Sequence, residues 1–366
     1  MRLLINGGGT AGHILPAISV AEAVRKRDPG LSVLAIGGSS PADRELFEYA
    51  GYAFQPTGAT GLTGAGFRLP LNSLRMSLAI LAAFKKVGEF RPNAALSTGA
   101  YASVPGAAAC LLRKVPQILV AVDASPGRAA KVIGRLSGHV AVATEQARHA
   151  FPRADVSVTG LPLRSEFDHP DPDRARRLHG LPAGRPVILV VGGSQGAGVI
   201  NEAVGSVLES LLELGAIVHL TGPTHLTEYQ TMKSALPDRI RNYYCPIAYL
   251  KRGMADLMAA SDLAVARAGG STHELAAAGL PSILIPGLFA GGHQHANAQR
   301  MSDAGAAVVL AESDLSGESL LNAVRKLLSH RCRLQKMASA AAGLANRGAA
   351  DSIAERLIQI ATRGDA

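Results

Sequence analysis

The chain has 366 residues, enough for two domains at roughly 100–200 residues each. Hydrophobic residues make up 48% and charged residues 18%, which excludes a largely disordered chain, and no run of 18 apolar residues offers a spanning helix. An excess of 37 Lys and Arg over 28 Asp and Glu favours anionic partners, while the absence of Trp and an aromatic share of 4% argue against a stacking platform for nucleic acid.

The first elements alternate. Residues 2–6 read as a strand, 7–12 as a glycine turn, and 13–27 as a helix with Ile14, Ile18, Ala21 and Val24 on its apolar face. The apolar start is too short for a secretory leader, so none is expected. Residues 31–36 read as a strand, 71–84 as a helix, 94–97 as a strand and 103–112 as a helix. Strands at 117–122 and 140–143 follow. Strands alternating with helices predict parallel βαβ units. Residues 167–186, rich in Pro, Asp and Arg, read as a surface connection. The pattern then restarts: a strand at 187–191, a glycine turn at 192–197 and a helix through 214. Strands at 217–220, 263–266 and 282–285 follow, with a helix at 272–278 and a mostly helical tail at 319–360. The expected fold class is α/β, with two doubly wound domains facing a cleft. Cys110, Cys245 and Cys332 stand far apart with no CxxC pair, which fits a reducing cytoplasm and no zinc cluster.

Three glycine turns carry the chemistry. The first is Gly7-Gly8-Gly9-Thr10-Ala11-Gly12-His13. Such a turn between strand and helix aims backbone N–H groups at a phosphate or pyrophosphate. A nicotinamide site would need an acid roughly 20 residues on, at the end of the second strand. Gly37-Gly38-Ser39-Ser40 stands there instead. His13 opens the helix, where it reads either as a structural residue of the turn or as a base, since the macrodipole favours the neutral imidazole. The second turn, Gly192 to Ala197, places Ser194 where a diphosphate would sit. The third, Arg267-Ala268-Gly269-Gly270-Ser271-Thr272, leads into Glu274. Amides at Gly270, Ser271 and Thr272 suit an anion, and Glu274 suits either the helix dipole or the vicinal hydroxyls of a ribose. His293, Gln294, His295 and Asn297 crowd one short stretch that suits sugar hydroxyls better than a metal, because no carboxylate stands near.

Six stretches, in order, carry a resemblance. They are Gly7 to His13 running into Leu15-Pro16-Ala17; Gly99-Ala100-Tyr101-Ala102-Ser103-Val104-Pro105; and Thr159-Gly160-Leu161-Pro162-Leu163-Arg164. Then come Gly192 to Ala197, Glu274 to Pro281, and Gln294 to Ala298. Nearly the whole chain resembles the MurG-type glycosyltransferases of family 28. The resemblance implies a GT-B fold of two Rossmann-like domains and an inverting transfer that uses no metal and no cofactor. The donor is UDP-N-acetylglucosamine, and the acceptor is a muramyl-pentapeptide sugar on undecaprenyl pyrophosphate, which makes a peptidoglycan precursor. It implies an acceptor and membrane-binding domain at 1–163, a donor domain at 164–340, and a helix at 341–366 packing back on the first.

By position, the resemblance makes His13 the catalytic base. Thr10, Ala11 and Gly12 face the acceptor pyrophosphate. Glu274 holds the ribose; Gly270, Ser271, Thr272 and Ser194 hold the diphosphate; Gln294 reads the sugar. Tyr249 or Leu250 lies against uracil, and Arg164 reaches in at the hinge. The sequence also departs from the pattern. Val120-Ala121-Val122-Asp123 replaces the usual His-Glu-Gln-Asn, leaving Asp123 in the asparagine's polar role. Gly99-Ala100-Tyr101 replaces Gly-Gly-Tyr, Gly160-Leu161-Pro162 replaces Gly-Asn-Pro, and the segment before Glu274 is one residue short. Residues 73–86, apolar and flanked by Arg68, Arg75, Lys85 and Lys86, read either as a core helix or as an anionic-membrane contact. The lipid-linked acceptor favours the second, at the cytoplasmic face of the cell membrane, with no nucleic acid as partner. A UDP-sugar 2-epimerase, a non-catalytic UDP-sugar-binding membrane protein and a nicotinamide oxidoreductase are the competing readings.

Overall fold

The computed structural model describes residues 1–59, 69–193, 195–287 and 292–364. The chain divides into two units, Met1–Ser165 with Asn346–Ala366, and Glu166–Ala345.

The first unit holds strands β1 (Arg2–Asn6), β2 (Ser32–Gly37), β3 (Ala53–Pro56), β4 (Ala94–Ser97), β5 (Gln117–Ala121), β6 (Gly138–Val142) and β7 (Asp155–Val158). They form one parallel sheet in the order β3-β2-β1-β4-β5-β6-β7. Helices cover both faces of such a sheet, so its inner strands are apolar on both sides. Leu3, Leu4 and Ile5 of β1 are fully buried, and Leu4 sits between Leu34 and Ala95. The helices are α1 (Ala11–Arg27), α2 (Pro41–Tyr49), α3 (Leu69–Phe90), α4 (Val104–Leu112) and α5 (Arg128–Ser137), with a short one at Glu145–Arg148. The last helix of the chain, Ala349–Gly364, adds Ile353, Leu357 and Ile360 to the core beneath α1. Its Asp351 and Glu355 pair with Arg27 at the end of α1. β1 lies between β2 and β4, which makes the carboxyl ends of β1 and β4 a topological switch point, the place where doubly wound sheets bind ligands.

The second unit repeats the plan. Strands β8 (Val187–Val191), β9 (Ala216–Leu220), β10 (Tyr244–Ile247), β11 (Leu263–Ala266), β12 (Ser282–Leu284) and β13 (Ala307–Val309) run parallel in the order β10-β9-β8-β11-β12-β13. The Val-Ile-Leu-Val-Val run of β8 is buried throughout. Its switch point lies at β8 and β11, so the second and third glycine turns flank it.

The sequence reading needs three corrections. Residues 167–186 are not merely a connection, since they contain the helix Pro172–His179. Asp171 caps it by accepting from Arg174 N (2.9 Å), Pro172 stands in its first turn, and Gly180 closes it at φ 62. The residues that suggested a loop are helix start and stop signals at their proper places. Asp256, 4% exposed in its side chain, then holds the segment by pairing with Arg174 and accepting from Asp171 N (2.7 Å). The single helix through 214 is two, Gly198–Ser206 and Leu208–Leu214, parted at Val207 (φ −130°), where a close approach of Gly317 to Ser206 fills the break. The helix expected to end at 84 runs on to Phe90, with Val87 still on its buried face.

Candidate active site

In the first unit the glycine turn is shaped by contact. Gly7 N donates to Ile36 O (3.0 Å), and a Cβ on Gly37 would lie 1.8 Å from Gly7 O. Only glycine lets β1 and β2 end so close together. Thr10 is the N-cap of α1, yet its hydroxyl does not cap the helix. It lies 3.0 Å from His13 Nδ1 instead. Thr10 O accepts from His13 N (3.1 Å) and Ile14 N (3.2 Å). The first-turn amides of Ala11 and Gly12 have no intrahelical acceptor, as at any helix start. The other ring nitrogen, His13 Nε2, lies 4.0 Å from Asp123 Oδ2, in the turn after β5. Both side chains are partly exposed. The fold therefore brings Thr10, His13 and Asp123 together from two turns at the switch-point end of one sheet. A neutral His13 receiving the Thr10 hydroxyl proton at Nδ1 carries its own proton at Nε2. The opposite tautomer leaves Nε2 free to take a proton, with the Asp123 carboxylate close enough to steady the resulting cation.

In the second unit the glycine turns are also tightly built. Gly196 (φ 79) and Gly222 (φ 84) lie back to back: a Cβ on Gly196 would meet Thr221 O at 2.1 Å, and one on Gly222 would meet Gln195 O at 2.1 Å. Thr221 N donates to Ile247 O (3.0 Å) and Gly222 N to Ala248 O (3.0 Å). The turn that holds Tyr249 and Leu250 is thus tied to the second glycine turn. Ser194 lies outside the described residues. After β11, Thr272 is 1% exposed, and both its hydroxyl (2.9 Å) and its amide (3.1 Å) donate to Gly269 O. Thr272 therefore shapes the turn, and the amides without an intrahelical acceptor belong to Gly270 and Ser271. Glu274 lies one turn on, half-buried in the helix Ser271–Ala277. Gln294 Oε1 accepts from Gly287 N (2.8 Å), and Asn297 Nδ2 donates to Ala268 O (3.0 Å). These two amides lock the turn after β12 and the third glycine turn to the helix His293–Asp303. Arg164, half-buried, lies at the end of the first unit's main segment.

Two groups escaped the sequence reading. Asp43 on α2 is 2% exposed and accepts from Gly9 N (2.9 Å). Burial pushes its carboxyl above the usual range, and the Gly9 N–H pulls against that. The only hint in sequence was Pro41 and Asp43 as a helix start. His219 on β9 is fully buried, between Asn201 Oδ1 (3.0 Å) and the Tyr244 hydroxyl (2.9 Å). Asn201 Nδ2 donates to Thr221 O (2.9 Å), so its Oδ1 must accept, which puts the His219 proton on Nε2. Burial lowers the His219 imidazole to about 3 and keeps it neutral. This network links the helix after the second glycine turn to Thr221. A lone His in an apolar strand gives no sign of partners 18 and 25 residues away.

The chain matches the glycosyltransferase family 28 N-terminal domain over residues 3–142 and the family 28 C-terminal domain over residues 187–357. The chain belongs to glycosyltransferase family 28. It is 34% identical to the UDP-N-acetylglucosamine–N-acetylmuramyl-(pentapeptide) pyrophosphoryl-undecaprenol N-acetylglucosamine transferase of Desulforudis audaxviator, over all of both chains. It is 37% identical to the transferase of the same name from Solidesulfovibrio magneticus, over 98% of each. Among solved structures it resembles Acinetobacter baumannii MurG (24% identity, TM-score 0.72, 98% of this chain and 99% of that one). A UDP-N-acetylglucosamine 2-epimerase from Neisseria meningitidis has a TM-score of 0.68 at 14% identity, over 98% of this chain and all of that one. The GT-B fold is thus shared with epimerases, and it is the sequence that places this family 28 chain with the hexosyltransferases. A nicotinamide enzyme is a poor fit for a further reason: the acid nearest the end of β2, Asp43, is turned onto the glycine turn and buried there.

Proposed function

We propose that this family 28 enzyme transfers N-acetylglucosamine from UDP-N-acetylglucosamine to the muramyl hydroxyl of undecaprenyl-pyrophosphoryl-N-acetylmuramyl-pentapeptide. The observation that carries the chemistry is the His13 imidazole between the Thr10 hydroxyl and the Asp123 carboxylate, at the end of a phosphate-type glycine turn. His13 Nε2 takes the acceptor hydroxyl's proton. The oxygen forms its bond to the anomeric carbon as the bond from that carbon to UDP breaks, with inversion. Asp123 steadies the imidazolium, and the Ala11 and Gly12 amides face the acceptor's pyrophosphate. On the donor side, the Gly270 and Ser271 amides, with Ser194 and Arg164, stabilise the charge that builds on the leaving diphosphate. Glu274 holds the ribose hydroxyls, Gln294 orients the sugar, and Tyr249 or Leu250 lies against the uracil. The test is UDP release from UDP-N-acetylglucosamine with a soluble analogue of the lipid acceptor. Release that requires the analogue, with a disaccharide product of the right mass, supports the reading. Donor binding without such release would favour a non-catalytic protein, and donor conversion without acceptor an epimerase.

The same reading has the enzyme dock on an anionic membrane through α3. Among the described residues no helix is long and apolar enough to cross a membrane. The apolar residues of α3 split into two faces. Met76, Ala79, Ala83 and Val87 are buried, whereas Leu74, Leu78 and Leu81 are 58%, 57% and 65% exposed in a row at helical spacing. Leu111 and Leu112 at the end of α4, the helix packed on α3, are exposed as well. Arg75 and Lys85 on α3 and Lys114 after α4 are exposed too, Lys85 beside Glu89 (3.9 Å), and the Arg113 guanidinium lies over the Phe84 ring (3.8 Å). Arg68 lies outside the described residues. Exposed leucines with exposed basic residues on the same segments suit the boundary between acyl chains and anionic headgroups. Replacing Leu78 and Leu81 together by Ser removes several buried CH2 groups from that contact. Sedimentation with phosphatidylglycerol vesicles is expected to fall about tenfold or more, with thermal stability unchanged. Equal sedimentation would remove α3 as the docking face.

A further inference from the structure

The family 28 chemistry leaves Asp43 without a part. An ionised carboxyl that is 2% exposed is costly to place, and its own helix does not use it. It stands in the first turn of α2, after Ser40 and Pro41, where a carboxylate commonly caps its own helix. Its Oδ2 accepts instead from the N–H of Gly9, in the turn before the catalytic helix. Room for it is made by glycine. A Cβ on Gly8, whose φ is 152, would lie 2.5 Å from Asp43 Oδ2, and one on Gly38 would lie 3.6 Å from it.

The turn is thus held at three points. Gly7 is clamped by Ile36 of β2, Gly9 by Asp43, and Thr10 by its place as N-cap and its contact with His13. Of these, the middle hold is the only one made by a side chain from another helix. It turns the Gly9 N–H onto the buried Asp43 carboxylate and so fixes the direction in which Thr10 leaves the turn. Thr10 in turn sets the His13 ring. We propose that Asp43 is a positioning residue for the acceptor side of the reaction, acting through the Gly9 amide on Thr10 and His13. The inference rests on the reading of that turn as the acceptor turn.

Replacement of Asp43 by Ala frees the Gly9 amide and lets the turn drift. A shift of about 1 Å in a catalytic group is enough for about a 100-fold loss. The expected result for Asp43→Ala is a loss of that order in kcat/KM for the acceptor analogue, with UDP affinity within about twofold of wild type. Asp43→Asn keeps an acceptor oxygen for Gly9 and is expected to restore most of the rate. Near-normal acceptor kinetics in Asp43→Ala, an equal loss of UDP affinity, or an Asn variant as poor as the Ala variant would each overturn the proposal. Should Asp43→Ala fail to fold, amide exchange in the unaltered enzyme decides: Gly9 is expected to exchange slowly for a turn residue, and exchange at the free-peptide rate refutes the bond. His13→Ala separates the two layers. If it retains turnover, the reading of the turn fails; if it loses turnover while Asp43→Ala does not, only the role of Asp43 fails.

Discussion

Replacing His13 by Ala is expected to lower kcat by about 10²–10⁴-fold, the usual worth of a positioned general base. That corresponds to about 3–5 kcal/mol of transition-state stabilisation. UDP-N-acetylglucosamine affinity should stay within about twofold of wild type, because His13 belongs to the first unit, whereas the proposed donor residues other than Arg164 belong to the second. The imidazole is held at Nδ1 by Thr10 and faced at Nε2 by Asp123, while remaining partly open to solvent and ligand. A histidine kept only for packing would be buried and satisfied, as His219 is. Measuring kcat with saturating donor and acceptor analogue, alongside donor affinity by calorimetry, tests both parts. A variant that turns over within threefold of wild type would assign the base elsewhere, with Asp123 the next group to examine.

Glu274 carries the second large effect. Glu274→Ala is expected to weaken UDP binding by about 10–100-fold, since hydrogen bonds to a charged group are worth about 1.5–3 kcal/mol. The competing explanation is that a carboxylate in the first turn of a helix only offsets the dipole, worth about 0.3–1 kcal/mol of stability. The two differ in what they move. A ribose role lowers UDP affinity and leaves thermal stability nearly intact; a dipole role lowers stability and leaves UDP affinity alone. Calorimetric titration with UDP, paired with a melting curve of each protein, tells them apart. Unchanged UDP affinity would remove Glu274 from the donor site.

Much of the architecture is legible in the sequence. Parallel strands covered on both faces must be apolar along their whole length, so Val187 to Val191 and Leu263 to Ala266 announce themselves, and the structure places strands at those bounds. Glycine turns after a strand are equally plain, because close contacts such as that of Gly37 with Gly7 admit no side chain. Helices fared less well where local composition and position disagree. The Pro, Asp and Arg of residues 167–186 look like a loop until Pro172 and Asp171 are seen to open a helix.

The sequence by itself determined the α/β class, the restart of the pattern in the second half and the family, because periodicity, turn chemistry and ordered motifs are local properties of the chain. Tertiary structure alone decided which polar groups meet. His13 and Asp123, Asp43 and Gly9, and His219 with Asn201 and Tyr244 are joined only when parallel crossovers bring separate turns, strands and helices together. Tertiary structure also split α3 into a buried face and an exposed row of leucines. Residues 78–84 are apolar all round, and only the position of α4 and the sheet determines which side is covered.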